Sequence, residues 1–168
     1  MKGLVFVLAL LSWGSSEPSI AVMPLDGLRA SDLRDSFDED RGKGKHEALD
    51  ILAARGTPVR AVVSGTIQKF FLSKPGGKTI YLFDEQGKYC YYYAHLDAYR
   101  DGLREGQKVL AGEMIGYVGS TGNADPKVPH LHFAIFALTP LKQWWKGEAI
   151  NPYPLLRRAL SDPAVHSR

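Results

Sequence analysis

Four of the five histidines in this 168-residue chain lie where they could bind a metal or transfer a proton. His130 and His132 are separated by one residue within an apolar run that predicts a strand, so their side chains lie on the same face. Two imidazoles side by side are costly to bury unless their nitrogens are used. The pair therefore favours a metal site or a catalytic site. The fifth histidine, His166, lies in a polar tail and needs no role.

His46 and Asp50 form a second pair, four residues apart. This spacing places both side chains on one face of a helix, and its even parity also places them on one face of a strand. Imidazole nitrogen and carboxylate oxygen are ligands that zinc accepts, although such a pair is also common on exposed helices. A catalytic zinc takes three protein ligands, so one histidine of the His130/His132 pair would complete a set.

His95 ends a tyrosine-rich segment, residues 89–96, that predicts another strand. On a regular strand Tyr91, Tyr93 and His95 share one face, and we expect an aromatic wall that leads to a histidine. Such a wall suits a groove for an extended substrate, and a tyrosine cluster in the core is the alternative. Once zinc has three ligands, His95 and the remaining histidine are available for proton transfer near neutral pH.

Short strands joined by tight turns must position these residues. Seventeen glycines and ten prolines, spread along the chain, are typical of a β-rich fold. The pattern predicts strands at 59–63, 66–72, 78–83, 88–96, 114–118 and 130–137 and a helix at 154–160. We therefore expect a mainly β, antiparallel sheet domain with an open groove and few short helices.

The chain divides into four segments. Lys2, an apolar run at 3–11 and a stretch of small residues have the form of a secretory signal peptide, to which we assign residues 1–16. An N-terminal helix or strand of the fold is the alternative. Residues 17–35 are predicted to be an N-terminal extension, 36–158 the domain that carries the site, and 159–168 a polar tail. We expect export to the periplasm or the cell exterior, with no membrane segment after signal removal, because the apolar run is shorter than the about 20 residues that span a bilayer.

Composition limits the partners. The formal net charge of +3 is small and no basic block is present, so we do not expect a nucleic-acid partner. Cys90 is the single cysteine, which excludes an intramolecular disulfide. We interpret it as a small buried hydrophobe.

Three ordered motifs resemble the lysostaphin-like, or LytM-type, zinc endopeptidases of peptidoglycan. They are His46–Asp50, in the pattern His-x-x-x-Asp, then Tyr93–Leu96, in the pattern Tyr-x-His-Leu, then His130–His132. The segments between them match as well, at 56–59, 106–109, 116–122 and 151–152. The resemblance covers roughly residues 36–156. It departs at Ala48, where the family usually has glycine, and in a longer loop at 123–129.

The resemblance implies a specific site. Its zinc ligands would be His46, Asp50 and His132, which hold one Zn²⁺. His95 and His130 would handle the attacking water and the tetrahedral intermediate. The implied fold is the lysostaphin-type peptidase fold, the implied substrate is a peptidoglycan peptide, and we expect a monomer. The longer loop is expected to change the groove wall and hence substrate preference.

Three alternatives remain at this stage. An HExxH-type protease would use His46 and Glu47 on one helix as ligand and general base. A catalytically silent domain of the same fold would bind the wall and activate other hydrolases, although it would not need all five site residues. A glycosidase is the weakest alternative, because no pair of carboxylates stands out at strand ends.

Overall fold

The computed structural model describes residues 17–42 and 44–162 as a mainly β protein. The predicted signal peptide lies outside the described residues, as does most of the polar tail. The strands are β1 Leu49–Leu52, β2 Pro58–Arg60, β3 Gly65–Ser73, β4 Gly77–Asp84, β5 Tyr89–Tyr99, β6 Lys108–Val109, β7 Met114–Val118, β8 His130–Leu138 and β9 Gly147–Ile150. A 3₁₀ helix at Ala30–Asp32 and helix α1 at Pro152–Leu160 complete the elements. Neither helix is long and apolar enough to cross a membrane.

All strands belong to one sheet, and every pairing in it is antiparallel. The order is β1-β8-β5-β4-β3-β6, with β9 beside β8 and β7 between β2 and β5. The antiparallel, mainly β prediction is confirmed. The six predicted strands are present, the first shortened to Pro58–Arg60. Strands β1, β6 and β9 were missed, because segments of two to four residues are too short to show an alternating pattern.

Helix α1 begins two residues earlier than predicted. The Asn151 side chain accepts a hydrogen bond from the Tyr153 N–H at 2.9 Å, which caps the helix, and Pro152 occupies the first helical position. Leu156 and Ala159 are buried, so the helix packs one side against the domain. The Asn151 amide also donates to the Asp35 carboxylate, which ties the N-terminal segment to the start of the helix.

One face of the sheet carries the core, and the N-terminal segment contributes to it. Tyr93, Phe133 and Ile80 are fully buried there, and Leu25 and Leu33 pack against the same cluster. The division of the chain into extension, domain and tail stays a prediction. Cys90 is fully buried, as expected for a small hydrophobe.

Strand β5 changes partner at His95. Its first half pairs with β8 as far as Ala94, and its second half pairs with β7 from Leu96 onward. On the opposite edge Lys78 pairs with Leu96 and Ile80 with Tyr93, so Ala94 and His95 together oppose the single residue Thr79. This is a β-bulge, and His95 has a φ of 59°. The extra residue reverses the alternation of side chains beyond it.

A turn after β7 packs against the β3–β4 connection and supports this bulge. Thr121 Oγ1 accepts from the Lys78 N–H at 3.0 Å and donates to the Leu96 carbonyl at 2.8 Å. Gly122, with a φ of 79°, lies so close to the neighbouring backbone that a Cβ there would be 2.3 Å from Gly77 N and 2.4 Å from Pro75 O. Only glycine fits this contact.

Removal of one buried hydroxyl tests the packing of the core. Tyr93 Oη accepts the Val62 N–H at 3.0 Å, so Tyr93→Phe leaves that donor buried without a partner. We expect the free energy of unfolding to fall by about 1–3 kcal/mol, measured by urea denaturation. The control is Tyr153→Phe, because the Tyr153 hydroxyl has no hydrogen bond to any described residue, and its change should stay within about 0.5 kcal/mol. Equal changes would contradict the assignment.

A pair of glycine substitutions tests the close approach at Gly122. Gly102 has a similar φ of 74°, but a Cβ there meets nothing within 4 Å. Gly102→Ala should therefore lose only about 1–2 kcal/mol, the penalty for a left-handed residue. Gly122→Ala should lose more, because the new Cβ also clashes with backbone atoms. Equal losses in urea denaturation would show that the turn moves aside without cost.

Candidate metal centre

Pairing on both sides of β8 brings the predicted site residues together. Asp50 of β1 lies directly opposite His132, and Ala94 of β5 lies opposite His132 on the other side. Residues that face each other across paired strands project from the same side of the sheet. Asp50 and His132 therefore share a face, and β1, not a helix, presents Asp50.

The turn before β1 brings His46 to the same face. The His46 N–H donates to the Glu39 carbonyl and the Glu47 N–H to the Phe37 carbonyl, both at 2.9 Å. Glu47 has a φ of 55°, a left-handed conformation that costs about 1–2 kcal/mol in a residue other than glycine. The chain bends at Ala48 directly afterwards and enters β1.

Three donor atoms form a small triangle. His46 Nε2 lies 3.0 Å from Asp50 Oδ1 and 3.1 Å from His132 Nδ1, and the latter two atoms are 3.1 Å apart. Ligands of a tetrahedral zinc at 2.0–2.1 Å stand about 3.3 Å from one another. The separations and the two-nitrogen, one-oxygen donor set therefore fit a zinc ion with three protein ligands.

Neighbouring groups orient these donors. The His46 Nδ1–H donates to the Ser36 carbonyl at 3.0 Å, which leaves Nε2 with its lone pair toward the triangle. The buried Ser36 hydroxyl lies 3.4 Å from Ala48 O and from Asp50 N. Arg41 Nη2 donates to Asp50 Oδ2 at 2.9 Å, so Oδ1 alone faces the histidines.

Sequence reasoning missed Ser36 and Arg41. Ser36 acts largely through its backbone carbonyl, and every residue has one, so no side-chain pattern could identify it. Arg41 lies in the glycine-rich loop that precedes His46. Its contact with Asp50 depends on the fold of that loop and has no sequence signal.

The triangle holds Asp50 in its charged form. Burial opposes ionisation of this carboxyl, but the close polar contacts of its Oδ1 with His132 and His46 outweigh burial and hold its pKa well below the usual range. Burial lowers the pKa of His132 and so favours its neutral form. An ionised carboxylate and a neutral imidazole are the protonation states that bind a metal.

His95 and His130 lie beside the triangle and face each other. Their ring centroids are 4.9 Å apart, and the His95 ring is 5.4 Å from that of His132. His130 Nε2 lies 3.7 Å from Asp50 Oδ1, farther than either nitrogen of the triangle. The structure thus places His132 among the three converging donors and His130 next to them, a distinction that strand parity left open.

A backbone carbonyl fixes the tautomer of each of these two histidines. His95 Nδ1 lies 2.8 Å from the Thr121 carbonyl and His130 Nδ1 lies 2.8 Å from the Val128 carbonyl. A carbonyl only accepts, so both Nδ1 atoms carry hydrogen, and each Nε2 is left to exchange a proton. Burial lowers the pKa of His95 to about 4, which keeps its Nε2 unprotonated at neutral pH.

Two cavities adjoin at Arg41 and Asp50. The first, about 530 Å³, contains the site histidines and is bounded by Pro75, Asn123 and Val128. Part of the longer loop at 123–129 therefore forms a wall of the site. The second, about 560 Å³, lies on the other side of Asp50, between the 3₁₀ helix and Leu52.

The expected aromatic wall of Tyr91, Tyr93 and His95 is wrong. Tyr91 and Tyr93 are buried in the core, while His95 faces the metal centre. The bulge at Ala94 and His95 reverses the alternation, so His95 shares its face with Tyr92, whose ring centroid is 5.9 Å from that of His132. The alternative interpretation, a tyrosine cluster in the core, is correct for Tyr91 and Tyr93.

The HExxH alternative also fails. It needs His46 and Glu47 in one helix, but Glu47 is left-handed and the chain continues into a strand at Leu49. It would also leave His132 without a role, although His132 lies in the donor triangle.

The chain is similar in sequence to known proteins. The L-Ala–D-Glu endopeptidase of Bacillus subtilis is 33% identical over 132 residues, which covers 74% of this chain and 39% of that protein. The glycyl-glycine endopeptidase ALE-1 of Staphylococcus capitis is 33% identical over 117 residues, covering 69% of this chain and 30% of that protein. The chain thus spans well under half the length of these relatives.

A solved structure and a family description agree with these relatives. The catalytic domain of the antimicrobial peptidase lysostaphin from Staphylococcus simulans superposes with a TM-score of 0.59 at 34% identity, covering 69% of this chain and 82% of that domain. The sequence model of peptidase family M23 matches residues 44–152, which include all five predicted site residues. The chain therefore belongs to peptidase family M23, a family of metallopeptidases.

Proposed function

We propose that this protein is a zinc-dependent endopeptidase that hydrolyses peptide bonds in peptidoglycan. The observation that carries the proposal is the triangle of His46 Nε2, Asp50 Oδ1 and His132 Nδ1, with the two further histidines beside it. The three triangle residues would hold one zinc ion. Bound there, zinc supplies a Lewis acid that polarises the scissile carbonyl and makes water more acidic.

His95 and His130 would move the protons of the reaction. Their Nδ1–H groups are held by carbonyls, so proton exchange is confined to the Nε2 atoms. One Nε2 takes the proton of the attacking water and passes it to the leaving amine. The other, when protonated, donates a hydrogen bond to the oxyanion. The rigid anchors keep both rings in place during these transfers.

Two observations support peptidoglycan as the substrate: the endopeptidase activities in the names of the relatives, and the cavities beside Asp50. The names of the two relatives specify different bonds, L-Ala–D-Glu and glycyl-glycine, so the family relationship does not select one. Cavities on both sides of Asp50 leave room for substrate residues on either side of the cleaved bond. Mass spectrometry of fragments released from purified cell wall would identify the bond.

The proposal includes a location outside the cytoplasmic membrane. Peptidoglycan lies there, and residues 1–16 have the form of a signal peptide. We also propose that the protein acts as a monomer, because the five site residues come from one chain. N-terminal sequencing of the secreted protein tests the first point, and light scattering tests the second.

Two histidine substitutions separate metal binding from proton transfer. His132→Ala should lose both zinc and activity, because it removes one of three donors. His95→Ala should keep zinc and lose about 10²–10⁴-fold in activity, the usual contribution of a general acid or base. Zinc is measured by elemental analysis and activity by release of wall peptides. His166→Ala, in the C-terminal tail, is the control and should behave like the wild type.

These measurements also distinguish the zinc peptidase from the alternative functions. Full activity in a zinc-free His132→Ala protein would contradict the metal-dependent mechanism. Wall binding without peptide release by the zinc-loaded wild type would support the alternative of a silent module that activates other hydrolases. The presence of all five site residues in one cluster favours the enzyme.

A further inference from the structure

A third, smaller cavity lies beside the candidate metal centre. It measures about 250 Å³ and is bounded by His46 and His132 on one side. The rest of its wall includes Glu47, Tyr92, Phe136 and Trp145. We call it the Trp145 cavity. Because it shares two residues with the metal centre, a group inside it would belong to a substrate residue close to the cleaved bond.

Tyr92, Phe136 and Trp145 contribute aromatic rings to this wall, and ring contacts connect two of them to the metal centre and the sheet. Ring centroids are 5.9 Å apart for Tyr92 and His132, 4.7 Å for Tyr81 and Tyr92, 4.8 Å for Tyr81 and Trp144 and 5.1 Å for Trp144 and Trp145. This chain of contacts fixes the loop before β9 against the sheet. Trp145, at its end, stays 59% exposed. An exposed tryptophan next to an active-site groove is typical of a binding surface.

Glu47 provides the charge of the cavity. It is the one acidic residue among the described residues that line the cavity. Its carboxylate is exposed and makes no hydrogen bond or ion pair with the described residues. Lys45 interacts electrostatically with Glu47, but Lys45 itself forms an ion pair with Asp38. Arg41 and Lys45 line the larger neighbouring cavity instead.

A carboxylate next to tryptophan and tyrosine rings suits one class of group. The ring faces attract a cation, and the carboxylate adds a direct ionic contact. The apolar ring surfaces also pack against an aliphatic stem, as they do around lysine side chains. A carboxylate of the substrate would be repelled by Glu47, and glycine would leave the cavity unfilled.

We propose that the Trp145 cavity is a specificity subsite for an amine carried on an aliphatic chain, such as a lysine side chain next to the cleaved bond. Glu47 contacts the ammonium group, and Trp145 packs along the stem. The inference rests on the proposed peptidase function and adds a substrate preference to it. It also gives a role to the left-handed Glu47, which the donor triangle does not use.

Matched peptides test the subsite on the zinc-loaded enzyme. A wall-type peptide that it cleaves is prepared with lysine or with norleucine, which has the same stem but no ammonium, at each position that flanks the cleaved bond. For the wild type we expect kcat/KM to be roughly three- to tenfold higher with lysine at one of these positions. Glu47→Gln should bring this ratio close to one. Trp145→Ala should lower kcat/KM for both peptides.

Two further variants guard against indirect effects. Glu47→Gly also removes the carboxylate but suits the left-handed backbone, so it should lose the lysine preference without loss of stability. Glu85→Gln removes an exposed carboxylate from the β4–β5 turn and should keep the wild-type ratio.

The possible failures are distinguishable. Equal cleavage of both peptides by the wild type at every flanking position would overturn the subsite and leave the peptidase function intact. An undiminished lysine preference in Glu47→Gln would overturn the role of the carboxylate. A zinc-loaded wild type that cleaves no wall peptide would overturn the peptidase function and the subsite with it.

Discussion

The pairing of β8 on both of its edges at His132 is the constraint on which the site depends. Asp50 on one side and Ala94 on the other fix the position of His132 along the strand. A shift of one residue in the β1–β8 pairing would turn Asp50 toward the core and dissolve the triangle. The fully buried β1 neighbours Leu49 and Ile51 oppose such a shift, because it would expose them.

The second determinant is the break in β5. Continuous pairing with β8 would direct His95 into the core beside Tyr93. The bulge, at the point where β5 leaves β8 for β7, turns His95 toward the metal centre instead. Two residues at the site have left-handed backbone conformations. One is His95, and the other is Glu47, which directly follows His46. Local backbone strain thus accompanies the function of this sheet.

Sequence analysis predicted the fold class and the cluster of five residues, because ordered motifs and strand periodicity are visible in the chain. It could not choose between His130 and His132 by parity, since residues two apart on a strand share a face. It misplaced Tyr91 and Tyr93, because a bulge leaves the apparent alternation with His95 unbroken. The buried Leu96, one residue out of phase with Tyr93, was the available signal of that bulge.

The anchors of His46, His95 and His130 are all main-chain carbonyls, those of Ser36, Thr121 and Val128. Side-chain substitution at these three positions leaves the acceptor atom in place. Of the three, the exposed Val128 is the position whose amino-acid identity can change most freely, since the Ser36 and Thr121 hydroxyls make hydrogen bonds of their own. Because the acceptors belong to the main chain, the ring orientations depend on the backbone path, and substitutions that alter this path can disturb the site from positions that do not touch the substrate.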